Sequence, residues 1–308
     1  FFSTHGKVYR MKVWRLPEGG PATRGRPMVN LLPLAQGETI STVLPLPEDE
    51  GEWSKLHVMF ATAKGSVRRN SMDAFANVPS NGKIAMKFEG DDADDRLIGV
   101  ALLTESDDVL LASRQGKAIR FMGSDIREFQ SRASTGVRGM TLKDGDEVIS
   151  LSILHRSGAT QDEREAYLRA APWKDNENEP TLPADRMAEM AAREQFILTI
   201  CANGYGKLSS AYEYRRTGRG GQGITNIDNI ARNGPVVASF PAVKDDQLML
   251  VTDQAKLIRI GLSSLRVIGR GSAGVRLFDV AADEHIVSAA LIEDSEDAEP
   301  DESTSEEA

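Results

Sequence analysis

Residues 108–123 read DVLLASRQGKAIRFMG. An apolar run over 109–112 meets a polar turn at Arg114, Gln115 and Gly116. It leaves as a second run over 118–122, with Lys117 and Arg120 on it. Strand-like runs on both sides of a glycine turn make a β-hairpin. The plan recurs five times, with turns at Gly6-Lys7, Gly65-Ser66, Gly116-Lys117, Gly206-Lys207 and Ala255-Lys256. A polar link follows each hairpin, then a glycine that opens a third strand: Gly25, Gly82, Gly136, Gly221 and Gly274, at lags of 19, 17, 20, 15 and 19 residues. A fourth strand closes each unit around Ile40, Ile98, Ile149, Val236 and Val287.

Four short strands in every ~40–50 residues mark a propeller-like blade, and blades set in a ring bury their faces on one another and leave few free edges. The fold class read from this is all-β, with four-stranded blades at about 1–46, 57–103, 108–154, 196–242 and 247–292 forming one domain over 1–292. No helix recurs at this period, which excludes helical solenoids. An acidic connector occupies 47–56. A 40-residue insertion at 156–195 carries helix-like stretches over 161–171 and 184–195, with Pro183 suited to the first turn of the second. Residues 293–308 hold nine acids and no base, the composition of a disordered tail.

That tail changes the meaning of the charge. The chain has 308 residues, 37 Lys+Arg and 46 Asp+Glu, a net of −9. All of the deficit lies in the tail, and the connector and the insertion carry −3 each, so the blades stand at about +6. An acidic pI therefore does not exclude nucleic acid. Cations also recur at matching places. After the turns come Lys7, Arg10 and Lys12; Arg68 and Arg69; Lys117 and Arg120; Lys207; Lys256 and Arg259. Around the third-strand glycines come Arg24 and Arg26; Lys83 and Lys87; Arg132 and Arg138; Arg215, Arg216 and Arg219; Arg270 and Arg276. A ring with cations at equivalent positions makes a positive band that holds duplex phosphates by charge, without base readout. For any one cation the alternative is a solvated residue blunting a strand edge. The acids cluster in end loops (Asp91, Asp92, Asp94 and Asp95; Asp144, Asp146 and Glu147; Asp245 and Asp246; Asp283 and Glu284), which predicts two electrostatic sides.

The segment 215–223, RRTGRGGQG, contains the pattern G-x-G-x-x-G at Gly218, Gly220 and Gly223. A dinucleotide fingerprint needs a strand before it, a helix after it and an acid about 20 residues on. Strand-like sequence follows here, so the segment reads as a loop whose amides and arginines lie near phosphate. His5, His57, His155 and His285 have no ligand spacing, and no convergent catalytic set is present. The lone Cys201 permits no internal disulfide and fits a reducing compartment. No apolar run approaches the ~18 residues of a membrane span. The chain opens at Phe1 in strand-like sequence, with neither Met nor leader, the expectation for a fragment of a longer protein.

VYRMKVWRLP (8–17), RGRPMVNLLPL (24–34), TGVRG (135–139), NGYGK (203–207) and VIGRG (267–271) resemble the C-terminal domain of the DNA gyrase A protein, in the type IIA topoisomerase family, with order and spacing kept through all five units. The insertion at 156–195 departs from that pattern. The resemblance implies a six-bladed β-pinwheel with swapped strands, five of its blades being visible here. It implies duplex DNA wrapped on a cationic perimeter so that an ATP-dependent enzyme introduces negative supercoils. It also implies a partner set, the rest of the gyrase A protein together with the gyrase B protein in an A2B2 assembly, in the cytoplasm on the nucleoid, with no membrane. The catalytic tyrosine would lie outside this chain, and ATP and Mg²⁺ in the B protein, leaving no cofactor here. The family's glycine-rich box is absent, and 219–223 is a degenerate echo of it. The alternatives are the equivalent domain of topoisomerase IV and a propeller that binds protein partners. The second predicts an aromatic face, against 6% aromatic residues.

Overall fold

The computed structural model describes residues 1–20, 23–47, 49–174, 178–228 and 230–292. The acidic tail, residues 293–308, lies outside the described residues.

Each unit builds its hairpin and closing strand into one antiparallel sheet. In the second unit His57–Thr62 pairs with Ser66–Ser71 on one side and Leu97–Leu103 on the other. The third uses Asp107–Ser113, Lys117–Met122 and Val148–His155. The fourth uses Phe196–Cys201, Tyr205–Ser210 and Val236–Ala242. The fifth uses Gln247–Thr252, Leu257–Gly261 and Ile286–Ile292. The first is reduced to Phe2–Ser3, Lys7–Val8 and Ile40–Thr42.

The fourth place in four of the sheets shows the strand swap that the resemblance implies. The short third strand of one unit pairs with the hairpin of the preceding unit. Lys83–Ile84 lies on Lys7–Val8, Val137–Arg138 on Ser66 and Val67, Ile224–Thr225 on Lys117 and Ala118, and Val275–Arg276 on Tyr205 and Gly206. Two residues cannot hold a strand alone, so the donated pair depends on the neighbour's ladder. Among the described residues no other sheet takes a strand from the first unit, where the segment after Gly25 forms none. The fifth sheet receives no donated strand among the described residues and has three strands.

Glycine admits the donated chain. Gly136 takes φ +104°, and a Cβ there would stand 2.2 Å from the Val67 carbonyl oxygen. In the fourth unit the residue that turns the chain is Gly223, at φ +73° with a Cβ position 2.4 Å from the Ala118 oxygen, and not Gly221.

The cores lie between neighbouring blades. Phe2, Phe60 and Phe75 pack edge-on between units one and two, with centroids 5.7 and 6.1 Å from Phe2. Met59, Val109, Leu111 and Phe121 fill the second junction, Leu110, Ile197 and Tyr214 the third, and Leu198, Leu248 and Leu250 the fourth. The central strands of units two to four are accordingly buried on both faces, as Asp107–Ser113 is throughout, whereas Gln247–Thr252 of the fifth is half-buried on one face. Burying each such large side chain contributes about 1.5–3 kcal/mol.

The insertion forms two helices, α1 (Gln161–Arg169) and α2 (Ala184–Ala192), each ending short of the expected 171 and 195. Thr160 and Glu163 close a reciprocal capping box on α1, and Pro183 stands at the N-cap of α2 rather than inside its first turn. The helices dock on the fourth blade through Tyr167 against Tyr212 (5.2 Å) and Trp173 against Phe196 (6.4 Å). The Glu194 carboxylate accepts from Tyr167 Oη at 2.7 Å, Trp173 Nε1 at 2.9 Å and Ser210 Oγ at 2.6 Å.

Candidate nucleic-acid interface

The hairpin turns set the register of the cations. Each turn has one residue in the left-handed region: Gly6, Gly65, Gly116, Gly204 and Ala255, at φ +75°, +86°, +79°, +81° and +60°. The fourth turn thus uses Gly204 and not Gly206. Tyr205 takes the place held elsewhere by Lys7, Ser66, Lys117 and Lys256, and Lys207 aligns with Arg68.

That shared place is buried, and it ties blades together. Arg68 is fully buried, donating to Asn70 Oδ1 at 2.9 Å and to the Ser134 carbonyl while lying 5.3 Å over the Phe60 ring. Burial, with Arg132 nearby, pushes its pKa down to about 10. Lys207 is 1% exposed and donates to the carbonyls of Gly269 and Ser272, each at 3.0 Å, and to that of Arg270. Burial pushes it down to about 8. In both blades a buried cation bonds the loop that the next unit lays over it, Arg68 through one carbonyl and Lys207 through three.

The next residue along the strand faces the other way and is also committed. Arg10 donates to the Ala76 carbonyl at 2.6 Å, pairs with Glu50 and stacks 4.8 Å over Trp53. Arg69 is buried and pairs with Glu105 at 2.8 Å. Arg120, also buried, donates to Asp108 at 2.9 Å and to the Ala211 carbonyl at 3.0 Å. Arg259 is exposed and bonds Gln247. These side chains occupy both faces of the strand because a donated loop covers one and a neighbouring blade the other.

The loop cations lie differently. The loop of each later unit runs over the preceding hairpin: Phe129 N donates to Arg69 O at 2.8 Å, Thr217 N to Arg120 O at 2.8 Å and Ile268 N to Leu208 O at 2.9 Å. On these loops Arg138, Arg215, Arg216 and Arg219 are exposed. Arg219 Nη1 donates to the Arg138 carbonyl at 3.1 Å, which makes the rim continuous from the third unit to the fourth. Arg276 is also exposed and pairs with Asp279 at 2.8 Å, whereas Lys83, Lys87, Arg132 and Arg270 are half-buried. Lys83 bonds the carbonyls of Ala74 and Asn77 at 2.8 and 2.9 Å, Arg132 bonds Ala74 O at 3.1 Å, and Arg270 bonds Glu213 O at 3.1 Å and Thr225 O. Half-buried Lys87 pairs with Glu89. Lys12, Arg24 and Arg26 are exposed on the first unit. The glycine-rich loop does not present free amides throughout, since Gly220 N is taken by Gly139 O at 2.6 Å and Thr217 N by Arg120 O.

The expectation of separated acids needs correction. Acidic loops cap the hairpin turns, whose free amides need acceptors. Asp95 accepts from Lys64 N at 3.0 Å and Asp146 from Gln115 N at 2.9 Å. Turn cations therefore sit among acids, with Lys256 paired to Glu284 at 2.6 Å and Lys64 to Asp94. Lys117 meets Thr225 Oγ1 at 3.1 Å. Lys7, half-buried, helps hold the Glu38 carboxyl below its ordinary range, after larger contributions from hydrogen bonds. Arg138 itself pairs with Ser66 beside the second turn, so the loop arginines are not segregated from the acids.

Two arginines outside the repeat also reach the rim, and the spacing of the repeats carried no sign of them. Arg156 Nε donates to Asp108 at 3.2 Å, and Arg164 Nη1 donates to the Tyr212 carbonyl at 3.4 Å. Among the described residues no group of three or more His, Cys, Asp or Glu is arranged to hold a metal, and no helix is long and apolar enough to cross a membrane.

Comparison with known proteins agrees with this architecture. The family described as "DNA gyrase C-terminal domain, beta-propeller" matches residues 1–47, 56–103, 107–155, 195–242 and 246–293, which excludes the insertion. The DNA gyrase A protein of Granulibacter bethesdensis is 48% identical over 94% of this chain and 33% of its own length. The Rickettsia bellii protein of the same name is 45% identical over all of this chain and 35% of its own, and that of Escherichia coli 36% over 93% and 28%. The chain thus spans about a third of the length of the curated relatives it matches. Two solved structures share the fold. A C-terminal domain of DNA topoisomerase IV has TM-score 0.71 at 19% identity, covering 94% of this chain and 77% of the other, and a DNA gyrase A C-terminal domain has TM-score 0.67 at 20%, covering 94% and 80%.

Proposed function

The chain belongs to the DNA gyrase C-terminal domain family, and from that premise we propose that it binds duplex DNA along its blade rim and bends it, without reading sequence. The observation that carries the proposal is the continuous exposed stretch of Arg138, Arg219, Arg215 and Arg216 on loops laid across successive blades. Of the twenty-one cations picked out by the repeat, ten are exposed: Lys12, Arg24, Arg26, Arg138, Arg215, Arg216, Arg219, Lys256, Arg259 and Arg276. The exposed loop arginines contact phosphate. Arg68, Arg69, Arg120 and Lys207 hold the blades and loops in place behind them.

The energetics permit a bend. Each phosphate contact adds about 0.9 to the salt slope of log K, or about 1.2 kcal/mol at 0.1 M salt. Bending a 20–30 bp site by 40–90° costs about 1–6 kcal/mol on smooth elastic estimates. About five rim contacts offset the upper figure.

In this reading the chain is the DNA-wrapping part of a gyrase A protein. It acts in the cytoplasm with the rest of that protein and with the gyrase B protein, in an ATP-dependent type II topoisomerase. It performs no chemistry itself, and ATP and Mg²⁺ are held by the B protein. The test is fluorescence anisotropy of a labelled duplex between about 50 and 200 mM salt. The expected result is steep loss of affinity, similar for unrelated sequences. Salt-independent binding, or none, overturns the proposal.

A further inference from the structure

The insertion is acidic in sum, yet it turns arginines onto the rim. Arg156 at its root bonds Asp108 Oδ1 at 3.2 Å, and Arg164 on α1 donates to Tyr212 O at 3.4 Å. From the blades, Arg120 Nε reaches Asp108 Oδ2 at 2.9 Å and Arg216 Nε stands 4.0 Å from the same oxygen. Three guanidiniums, those of Arg120, Arg156 and Arg216, therefore lie within 4.0 Å of one carboxylate whose side chain is fully buried, and Arg164 stands near enough to feel Arg216 and that carboxylate. Other nearby acids are engaged elsewhere. Glu163 pairs with Arg186 at 2.8 Å, Glu165 accepts from Gln161 at 2.9 Å, Glu194 takes its three donors, and Asp107 meets His155 at 2.9 Å.

Like charges gathered without matching carboxylates favour an anion between them. Burial, and then Arg216, holds Arg164 below the ordinary arginine range. The cluster is reachable, the Arg216 side chain being 44% exposed and that of Arg156 28%. Beside it opens a cavity of about 190 Å³ lined by Arg120, Arg215, Thr217 and Gly218. The insertion is held firmly by Glu194 and the Tyr167–Tyr212 contact, so little ordering is left for the moment of binding.

We infer that the helical insertion extends the DNA-contact rim, Arg164, Arg156 and Arg216 together seating one backbone phosphate beside Asp108. This rests on the reading of the rim as a duplex-binding surface. It assigns a binding role to a segment that the family match leaves out, and it gives the fourth blade a contact that the other blades lack.

The test measures log K against log salt for a labelled duplex on the 308-residue chain. Arg164→Gln combined with Arg216→Gln should lower the slope by about 0.9 and weaken binding about eightfold at 0.1 M salt. The paired Lys substitutions should restore the slope, because charge and not packing is at issue. Arg193→Gln, exposed just past the end of α2 and paired with Glu189 at 3.4 Å, should leave it unchanged. Arg216→Gln alone, on an exposed loop, keeps the test open if the double variant does not fold. A steep parental slope that none of the Gln variants alters overturns this inference and leaves the wider function standing. A parental chain with no salt-dependent binding overturns both.

Discussion

Replacing Gly136 with Ala tests the strand exchange that joins the second and third blades. Gly136 sits at φ +104°, outside the region an L-residue adopts easily, which alone costs about 1–3 kcal/mol. The new methyl would also stand 2.2 Å from the Val67 oxygen and 2.9 Å from Arg68 Cβ, so the chain must move. Movement loosens the pairing of Val137 with Val67 and Arg138 with Ser66, and the bonds of Gly139 N and Met140 N to Gly65 O at 2.8 and 3.0 Å. At about 1 kcal/mol net per bond, losing two of these gives a total near 3–5 kcal/mol. Gly37→Ala is the control. Its φ is +75° but a Cβ there meets nothing within 4 Å, so only the backbone cost of about 1–2 kcal/mol applies. Native-state hydrogen exchange at Gly139 and Met140, together with denaturant unfolding, reads both variants. Equal losses in the two would refute the claim that the donated strand is seated by this glycine.

Three further outcomes follow from named contacts. Glu194→Ala leaves the donors of Tyr167, Trp173 and Ser210 without their acceptor, so it should cost about 3 kcal/mol and make residues 156–195 the first site of limited proteolysis. Lys207 has its pKa pushed from 10.5 to about 8, so between those values the unfolded state binds the extra proton. Stability of the parent relative to Lys207→Met should therefore rise with pH across that window, by up to about 3 kcal/mol, and a falling difference would contradict the burial account. Arg138→Gln with Arg219→Gln should reduce the salt slope of DNA binding by about 1.8 without shifting the melting temperature, as read by anisotropy and calorimetry.

Much of the fold was readable because the hairpins repeat at a nearly fixed lag from turn to glycine. The destination of the third strand was not readable from the repeat spacing, and only the family resemblance implied the swap. Val137 and Arg138 carry nothing that says which hairpin they join, and the answer lies in the close approach of Gly136 to Val67. The fourth turn was misregistered because 203–206 offers two glycines, and only the φ of Gly204 decides between them. That one shift moved Lys207 from the turn to the buried place of Arg68. The cationic pattern was visible, but burial was not. Adjacent residues of a strand face opposite ways, so a sheet with one open face would leave either Arg68 or Arg69 in solvent. Yet Ser134 closes over one and Glu105 over the other. The contribution of Arg156 and Arg164 fell outside any repeat and rests on how α1 docks.

The central claim is that duplex DNA follows the rim and bends around it. Closed circular DNA saturated with the chain, relaxed by a nicking–closing enzyme, stripped of protein and resolved on a gel reports any wrapped turn as a change in linking number. The account predicts a shift of one sign that grows with bound protein and vanishes at high salt. DNA that binds the chain yet keeps an unchanged linking number would contradict it.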